Sequence, residues 1–339
     1  MLKGKKLSFL WLFFFLLTGN TILANPLSVV IVGGGPAGLA AAIIASSLDT
    51  KVTLIEKRSN YTRNNIIFLD EPILKLLASR GIEIPSMTLL DFQDQKRGFV
   101  LIKDLETGLL EKAKTLPIQM LQGQFKDFEN SQKVLQLEVF GKEVFLPYDI
   151  VILADGAHSL SREKLQIPIE TMGKAIGAIA LISEQNPLDV HIEKKATDSF
   201  FVKKIQIPFA SVLLMQIRPG VFAKSASRKE LCEVALEVGW KPLVRALEAT
   251  DSLILENIPI LFQRAKTFSD PSRDALLLGD AACCTSFLDG MGVNTALQTC
   301  EFIAEFIKDF HSPIKAHARF NASMEKAVQI ATDKNKHLF

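Results

Sequence analysis

Apolar residues in this chain come in two rhythms. Unbroken runs at 28–32, 51–56, 148–154 and 274–279 have the length of strands buried on both faces. The Ala-rich stretch 37–48 holds no proline and follows the first run through a glycine turn. Residues 28–56 therefore predict strand, turn, helix, strand, a βαβ unit that demands a parallel sheet. Pro72 opens and Gly81 closes a further helix over 72–80, and 103–114 predicts another. A helix over 293–310 would set Val293, Leu297, Cys300, Ala304 and Ile307 on one face.

The second rhythm lies between the third and fourth runs. β-like segments at 175–183, 199–207, 211–217 and 253–263 are interrupted by one helix at 228–238. This texture predicts a β-rich domain, 163–270, inserted into a discontinuous α/β domain made of 25–162 and 271–339. The expected class is α/β, a Rossmann-like domain with an inserted β-rich substrate domain. The runs at 148–154 and 274–279 both end in glycine turns, which puts their loops at the sheet's carboxyl edge, where open α/β folds bind ligands.

Composition narrows the functions. The chain has 339 residues, is 48% apolar and carries a formal charge of +2, enough to bury one large core or two linked ones. No basic stripe with interleaved aromatics occurs, so nucleic acid is not an expected partner. Lys3, Lys5 and Lys6 precede an apolar run, 7–17, and a polar exit, 18–21, the order of a secretory signal peptide. An uncleaved anchor competes, since 7–24 approaches the roughly 20 residues of a membrane span. The expectation is export or membrane association through this segment, with a cytoplasmic enzyme carrying a misassigned start as the alternative. Cys232, Cys283, Cys284 and Cys300 lack metal-ligand spacing, and no CxxC occurs, so no metal site is expected.

Gly33-Gly34-Gly35-Pro36-Ala37-Gly38 is a G-x-G-x-x-G loop between the first strand and its helix. Gly33 permits the tight turn, Gly35 lets a pyrophosphate approach the backbone, and Gly38 lets helix and strand pack closely. Glu56 closes the second strand about 20 residues on, where a carboxylate accepts from ribose hydroxyls. Lys57 follows it and joins Pro36 and Ala37 among the cofactor-binding candidates.

Asp155-Gly156-Ala157-His158-Ser159 with Arg162, Gly279-Asp280-Ala281-Ala282 and Gly290-x-Gly292-Val293-Asn294 follow in order. These segments resemble the DG, GD and G-x-G-x-N motifs of the FAD-dependent aromatic hydroxylases, the para-hydroxybenzoate hydroxylase-like monooxygenases. The motifs together run from Val29 to about Leu297, nearly the whole chain after the leader. The resemblance implies FAD, with Asp280 on a ribityl hydroxyl and the helix beginning near Val293 aiming its amino terminus at the flavin N1 and O2 edge. Asp155 is either a turn residue supporting its loop or a cofactor or NAD(P)H contact. Arg63 is similar in position to an arginine that some members, notably the MICAL monooxygenases, place near the flavin. A solvated surface arginine is the alternative. Lys103 occupies the place where the family often has an arginine contacting FAD.

Two positions depart from the family pattern. Cys283 and Phe287 stand where members usually have His after G-D-A-A and a proline beside the flavin ring. Phe287 would stack on the flavin or fill the core, and Cys283 and Cys284 would fill space or act in redox chemistry. The resemblance implies NAD(P)H as electron donor, O2 as co-substrate and hydroxylation of a small organic, aromatic substrate. A reductase or oxidase on the same fold, and a non-catalytic FAD-binding protein, remain alternatives. Tyr61 and Tyr148 are the sole tyrosines and His191 the insert's sole histidine, an expected loop residue, so the insert offers no phenol of its own.

Overall fold

The computed structural model describes residues 25–92, 95–129, 132–183, 190–218, 220–221, 225–249 and 253–339. The leader, 1–24, lies outside the described residues. Among the described ones, no helix is long and apolar enough to cross a membrane.

In chain order the elements are β1 (Leu27–Val32), α1 (Pro36–Ser46), β2 (Thr50–Glu56), β3 (Ile66–Leu69), α2 (Glu71–Ser79), β4 (Thr88–Phe92), β5 (Gln95–Leu101) and α3 (Ile102–Lys114). β6 (Ile118–Gln122) follows, and then a meander of β7 (Gln124–Phe128), β8 (Val134–Val139) and β9 (Lys142–Pro147). Then come β10 (Ile150–Leu153), α4 (Leu160–Lys164), β11 (Ile169–Ser183), β12 (His191–Ala196), β13 (Phe200–Ile207), β14 (Ala210–Ile217), α5 (Arg228–Glu237), α6 (Lys241–Glu248) and β15 (Leu253–Ala265). The chain closes with β16 (Ser269–Asp270), β17 (Ala275–Leu277), β18 (Cys283–Cys284), α7 (Met291–Thr299), α8 (Glu301–Lys308) and α9 (Pro313–Asn335).

The central sheet has the order β16-β17-β10-β1-β2-β6, and its inner pairings are parallel. Val29 to Ile31 and Ile150 to Leu153 are wholly buried, as expected of strands covered on both faces. Helix α1 is apolar all round and nearly all its residues are buried, so it sits inside the core rather than on its rim. Phe125, Phe128, Leu135 and Leu137 of the meander join the same core.

The second sheet, β12-β13-β14-β11-β15-β18, is antiparallel. Its period-2 alternation feeds two cores. Ala178, Ala180, Leu213 and Met215 pack toward α5 and α6, while Ile179, Val212 and Leu214 pack toward the small sheet β3-β5-β4.

The structure corrects several sequence expectations. The helix expected at 228–238 is present as α5, ended by Gly239 in the left-handed region, but a second helix that the sequence reading did not give, α6, follows it. The helix expected over 293–310 breaks at Cys300, whose thiol donates to the carbonyls of Ala37 and Ala296. Strand β11 begins at Ile169, earlier than the expected 175. The small β3-β5-β4 sheet, the meander and the long α9 were not expected from the sequence; β3 is a run of only four apolar residues, and the other elements intersperse apolar positions with polar and charged ones.

Candidate functional site

Two cavities meet where the carboxyl edge of the parallel sheet faces the antiparallel one. The first, of about 340 Å³, is walled by the turns after β1, β10 and β17 and the end of β2. Gly33, Gly35, Pro36, Ala37, Glu56, Lys57, Arg63, Asp155, Asp280, Gly292 and Val293 all line it. The second, of about 300 Å³, is bounded by Gly290 and Asn294, by the apolar faces of β3, β11, β13 and β14, and by Phe287 and Leu288.

The glycine loop has the shape that a phosphate needs. Gly33 takes φ of +103°, and a Cβ there would lie 2.3 Å from the Ala154 carbonyl oxygen, so only glycine fits. At Gly38, which lines neither cavity, a Cβ would lie 1.8 Å from the Gly33 carbonyl oxygen. At Gly35 the nearest atom to such a Cβ is the Arg63 Nη2, 3.9 Å away, so the backbone is open to an approaching anion. Gly35 caps α1 without a side-chain hydrogen bond, and Pro36 starts it. The free N–H groups and the dipole of that helix end suit a pyrophosphate.

Glu56 ties this loop to the second strand. Its Oε2 accepts from the Gly34 N–H at 2.7 Å and from Arg58 Nη2 at 3.0 Å, and its Oε1 accepts from Arg58 N and Nε. Burial pushes this carboxyl up, but the hydrogen bonds from Arg58 and Gly34 outweigh it and hold Glu56 below its usual range. Tyr61 donates to the Gly34 carbonyl at 2.6 Å, so the peptide groups on both sides of Gly34 are held. Burial pushes the Tyr61 phenol up to about 12, which keeps it a donor near neutral pH.

Arg63 stands at the junction, lining both cavities and ion-paired with Glu106. Glu106 is fully buried on α3, 3.6 Å from Arg58 Nη2, and its Oε2 has no hydrogen-bond partner among the described residues. Sequence reasoning missed Glu106, Arg58 and the role of Tyr61. A carboxylate next to Leu105 on an apolar helix face was the available signal. Lys103 lines neither cavity. Ile102, the first residue of α3, does so instead, and the Lys103 N–H donates to the Arg63 carbonyl.

Asp155 accepts from the Ser159 and Ser161 hydroxyls at 2.6 and 2.8 Å and from the Ser161 N–H at 3.1 Å. These bonds are those of a loop support, although the residue also lines the first cavity. The buried Arg162 bridges this loop to the one after β17, donating to the Ala281 carbonyl at 2.8 Å and to Ala157 at 3.3 Å. Two motifs far apart in sequence are thereby held at a fixed separation.

Asp280 is solvent-exposed where the two cavities open, although protein atoms crowd round its carboxyl. Burial raises its pKa, against the opposing pull of Arg63 and the Cys284 thiol. Burial likewise pushes the Cys283 thiol up to about 12 and raises those of Cys284 and Cys300, so these cysteines are thiols that fill space. All four cysteines are free. Asn294 is 6% exposed; its amide donates to the Phe68 and Gly290 carbonyls and its oxygen accepts from the Asp70 N–H, which locks α7 against β3. Gly290 takes φ of +67° where α7 begins, and that helix end has no side-chain cap. His191, expected in a loop, is exposed on the edge strand β12 and lines neither cavity, although Val190 and Ile192 beside it line the second. No cluster of metal-binding side chains occurs among the described residues.

A family model described as pyridine nucleotide-disulphide oxidoreductase matches residues 27–193, a little under half of the chain. Among solved structures, P. aeruginosa PqsL in complex with 2-aminobenzoylacetate superposes with a TM-score of 0.74 at 16% identity, over 92% of this chain and 95% of that one. The p-nitrophenol 4-monooxygenase PnpA from Pseudomonas putida DLL-E4 gives 0.72 at 15% identity, over 91% and 88%. The chain has the fold of the flavin-dependent monooxygenases. CmlS, a flavin-dependent halogenase, shares this fold with a TM-score of 0.69 at 18% identity over 90% of this chain, which spans 63% of the halogenase's length. A stretch of 40 residues is 50% identical to the [F-actin]-monooxygenase mical2 of Xenopus tropicalis, 12% of this chain and 4% of that protein. The resemblance carried by the three motifs thus holds for the flavin-monooxygenase fold, and the family match and fold together support an FAD-dependent oxidoreductase.

Proposed function

We propose that this protein is an FAD-dependent monooxygenase that uses NAD(P)H and O2 to hydroxylate a small organic molecule. The observation that carries the reading is the junction of the cavities. Arg63, Ile102, Asp280, Gly292 and Val293 line both, so a cofactor extended along the first would present its reactive end to the second. In this reading Gly33, Gly35, Pro36, Ala37 and Gly38 form the pyrophosphate turn, and Glu56 and Lys57 border the ribose. Asp280 hydrogen-bonds the ribityl chain, and Gly290, Gly292, Val293 and Asn294 build the helix end facing the ring. Asp155 supports its loop at the cavity's edge. The discontinuous division, 25–162 with 271–339 around 163–270, belongs to the same proposal.

The flavin would supply the redox chemistry when bound, and the chain's own residues bind it, orient it and exclude water. Arg63 brings positive charge to the junction, where a reduced, anionic ring or an anionic substrate gains from it. The walls of the second cavity are mainly aliphatic, with Ile66, Ile67, Ile179, Ile192, Ile205 and Leu214 among them. No His, Tyr or Cys lines it among the described residues, and Asp70 and Asp280 are the carboxyls at its wall. A flavin reductase or oxidase is the second reading, since such an enzyme needs the same cradle beside the same apolar-walled cavity. An amino-terminal hydrophobic segment, 7–24, would carry the protein out of the cytoplasm or onto a membrane, which fractionation of tagged protein would test.

The experiment is the absorption spectrum of the purified protein, followed under NADPH in air with and without candidate substrates. A yellow protein with one FAD per chain and substrate-stimulated NADPH oxidation with oxygen incorporation is expected. Reduction without oxygen incorporation would favour the reductase, and a protein that stays colourless after incubation with FAD would overturn both.

A further inference from the structure

The turn between Asp280 and Gly292 stands between the two cavities, and Thr285, Ser286, Phe287 and Leu288 from it line the second. Ser286 is fully buried at its centre. Its hydroxyl donates to Gln216 Oε1 at 2.7 Å and accepts from the Leu288 N–H at 3.2 Å, while its own N–H donates to Asn335 Oδ1 at 3.1 Å. Gln216, on β14, donates in turn to the Leu338 carbonyl at 2.8 Å, and Asn335, at the end of α9, donates to the Ala331 carbonyl at 3.0 Å. Both of these side chains are also 0% exposed, and neither lines a cavity. Two wholly buried side chains from separate segments therefore hold Ser286, Gln216 at its hydroxyl and Asn335 at its backbone N–H, and losing either leaves a buried polar group of Ser286 without that partner in an apolar surrounding.

Apolar contacts complete the same seat. The Phe287 ring lies over Gly177 of β11, where a Cβ would come within 2.5 Å of Phe287 Cζ. Phe339 stacks on Phe262 with ring centroids 4.8 Å apart and covers Gly173. Lys203 Nζ donates to the Leu288 carbonyl at 2.8 Å. Packing against a glycine tells where the ring rests, while the polar network fixes the backbone that carries it.

We propose that Ser286, Gln216 and Asn335 form a positioning network that sets the Phe287 wall of the second cavity, so that two residues outside the cavity determine what it accepts. The proposal rests on the reading of that cavity as the substrate site beside FAD. Gln216 and Asn335 are positioning residues: they act through the turn and touch neither cofactor nor substrate.

The test compares full-length wild type, Asn335→Ala and the volume-matched Gln216→Met, together with Ser286→Ala and the hydroxyl-retaining Ser286→Thr. Hydrogen–deuterium exchange is followed in peptides covering 283–290 and 33–40, alongside FAD titration and the visible circular dichroism of bound FAD. Exchange across 283–290 should rise by about tenfold or more in Asn335→Ala, Gln216→Met and Ser286→Ala, with 33–40 unchanged. FAD affinity should stay within about twofold while the flavin's visible dichroism changes, and Ser286→Thr should behave as wild type. Unchanged exchange across 283–290 in the variants that fold, or equal loosening of 283–290 and 33–40, would overturn the proposal. Failure of Asn335→Ala to fold leaves Gln216→Met and the Ser286 pair to decide it. A wild-type chain that takes up no FAD would sink the flavin reading instead, and the exchange data would still judge the network.

Discussion

In the parallel sheet, the side chains and turns that face the first cavity sit at strand ends: Gly33 and Gly35 after β1, Glu56 at the end of β2, Asp155 after β10 and Asp280 after β17. In the antiparallel sheet, those that face the second come from strand interiors, Ile179 in β11, Ile205 in β13 and Leu214 in β14. Loop positions can be filled by residues chosen for chemistry, because the strands behind them already hold the fold. Interior positions must also pack, so their identities report volume and shape as much as function. One half of the site is thus written as motifs, and the other as a packed wall that changes with every neighbour.

The sharpest way to break this contrast is Gly33→Ala. A Cβ held at φ of +103° and 2.3 Å from a backbone oxygen cannot be relieved by a side-chain shift. The variant should lose about 3 kcal/mol or more of stability, or lose FAD binding altogether. Urea unfolding and FAD titration check this, and wild-type values for both would mean that the turn tolerates a side chain.

Glu56→Ala should follow, weakening FAD binding by about 1–3 kcal/mol, the cost of leaving hydroxyl and N–H partners unpaired. Its hold on the Gly34 N–H means that part of this loss passes through the loop rather than through ribose. Isothermal titration with FAD on folded variant decides it, and an unchanged Kd would remove Glu56 from the site.

Phe287→Pro probes the other half. Ser286 precedes it with φ of −64° and ψ of 144°, a conformation that the residue before proline readily adopts, so the backbone accepts the change. FAD affinity should move by less than about 0.5 kcal/mol. The rate of flavin reduction, or of substrate-stimulated NADPH oxidation, should change several-fold, as stopped-flow measurements would show. A loss confined to FAD affinity would place Phe287 in the cofactor cradle instead of the cavity wall.

The smallest effect is a pH dependence at the β12 edge of the antiparallel sheet. Lys204, with Lys195 and the Trp240 N–H, holds Glu193 down to about 2, from an ordinary value of 4.5. A depressed carboxyl contributes stability that is present above its unfolded pKa and lost as pH falls through the folded one. Wild type should therefore lose its advantage over Glu193→Gln between about pH 4.5 and about 2, read from urea midpoints at each pH. The two proteins should converge at the acid end, and a constant gap down to that pH would assign the effect to packing.

The glycine turn, Glu56 and the Asp280 loop were legible because their chemistry is local: a few adjacent residues set each turn, and the apolar runs before them mark the strands. Lys103 shows the limit of such reasoning, since a charged residue near the right place in sequence lies one position away from Ile102, which lines both cavities. Glu106 and Arg58 were missed because their importance comes from partners on other elements. The helix expected over 293–310 is parted at Cys300 into α7 and α8, and the Cys300 thiol meets a carbonyl of α1.

By itself, the amino-acid sequence determined the βαβ start, the order of the three motifs and the β-like runs between 175 and 263. These depend on φ/ψ preferences and apolar periodicity within short windows. Only the tertiary structure decided that Arg162 ties the loop after β10 to the one after β17, that Arg63 sits where the cavities join, and that Ser286 is held by residues 70 positions before it and 49 after it. Those contacts exist because buried polar groups must find partners wherever the fold brings them, and no local pattern records which distant segment will supply one.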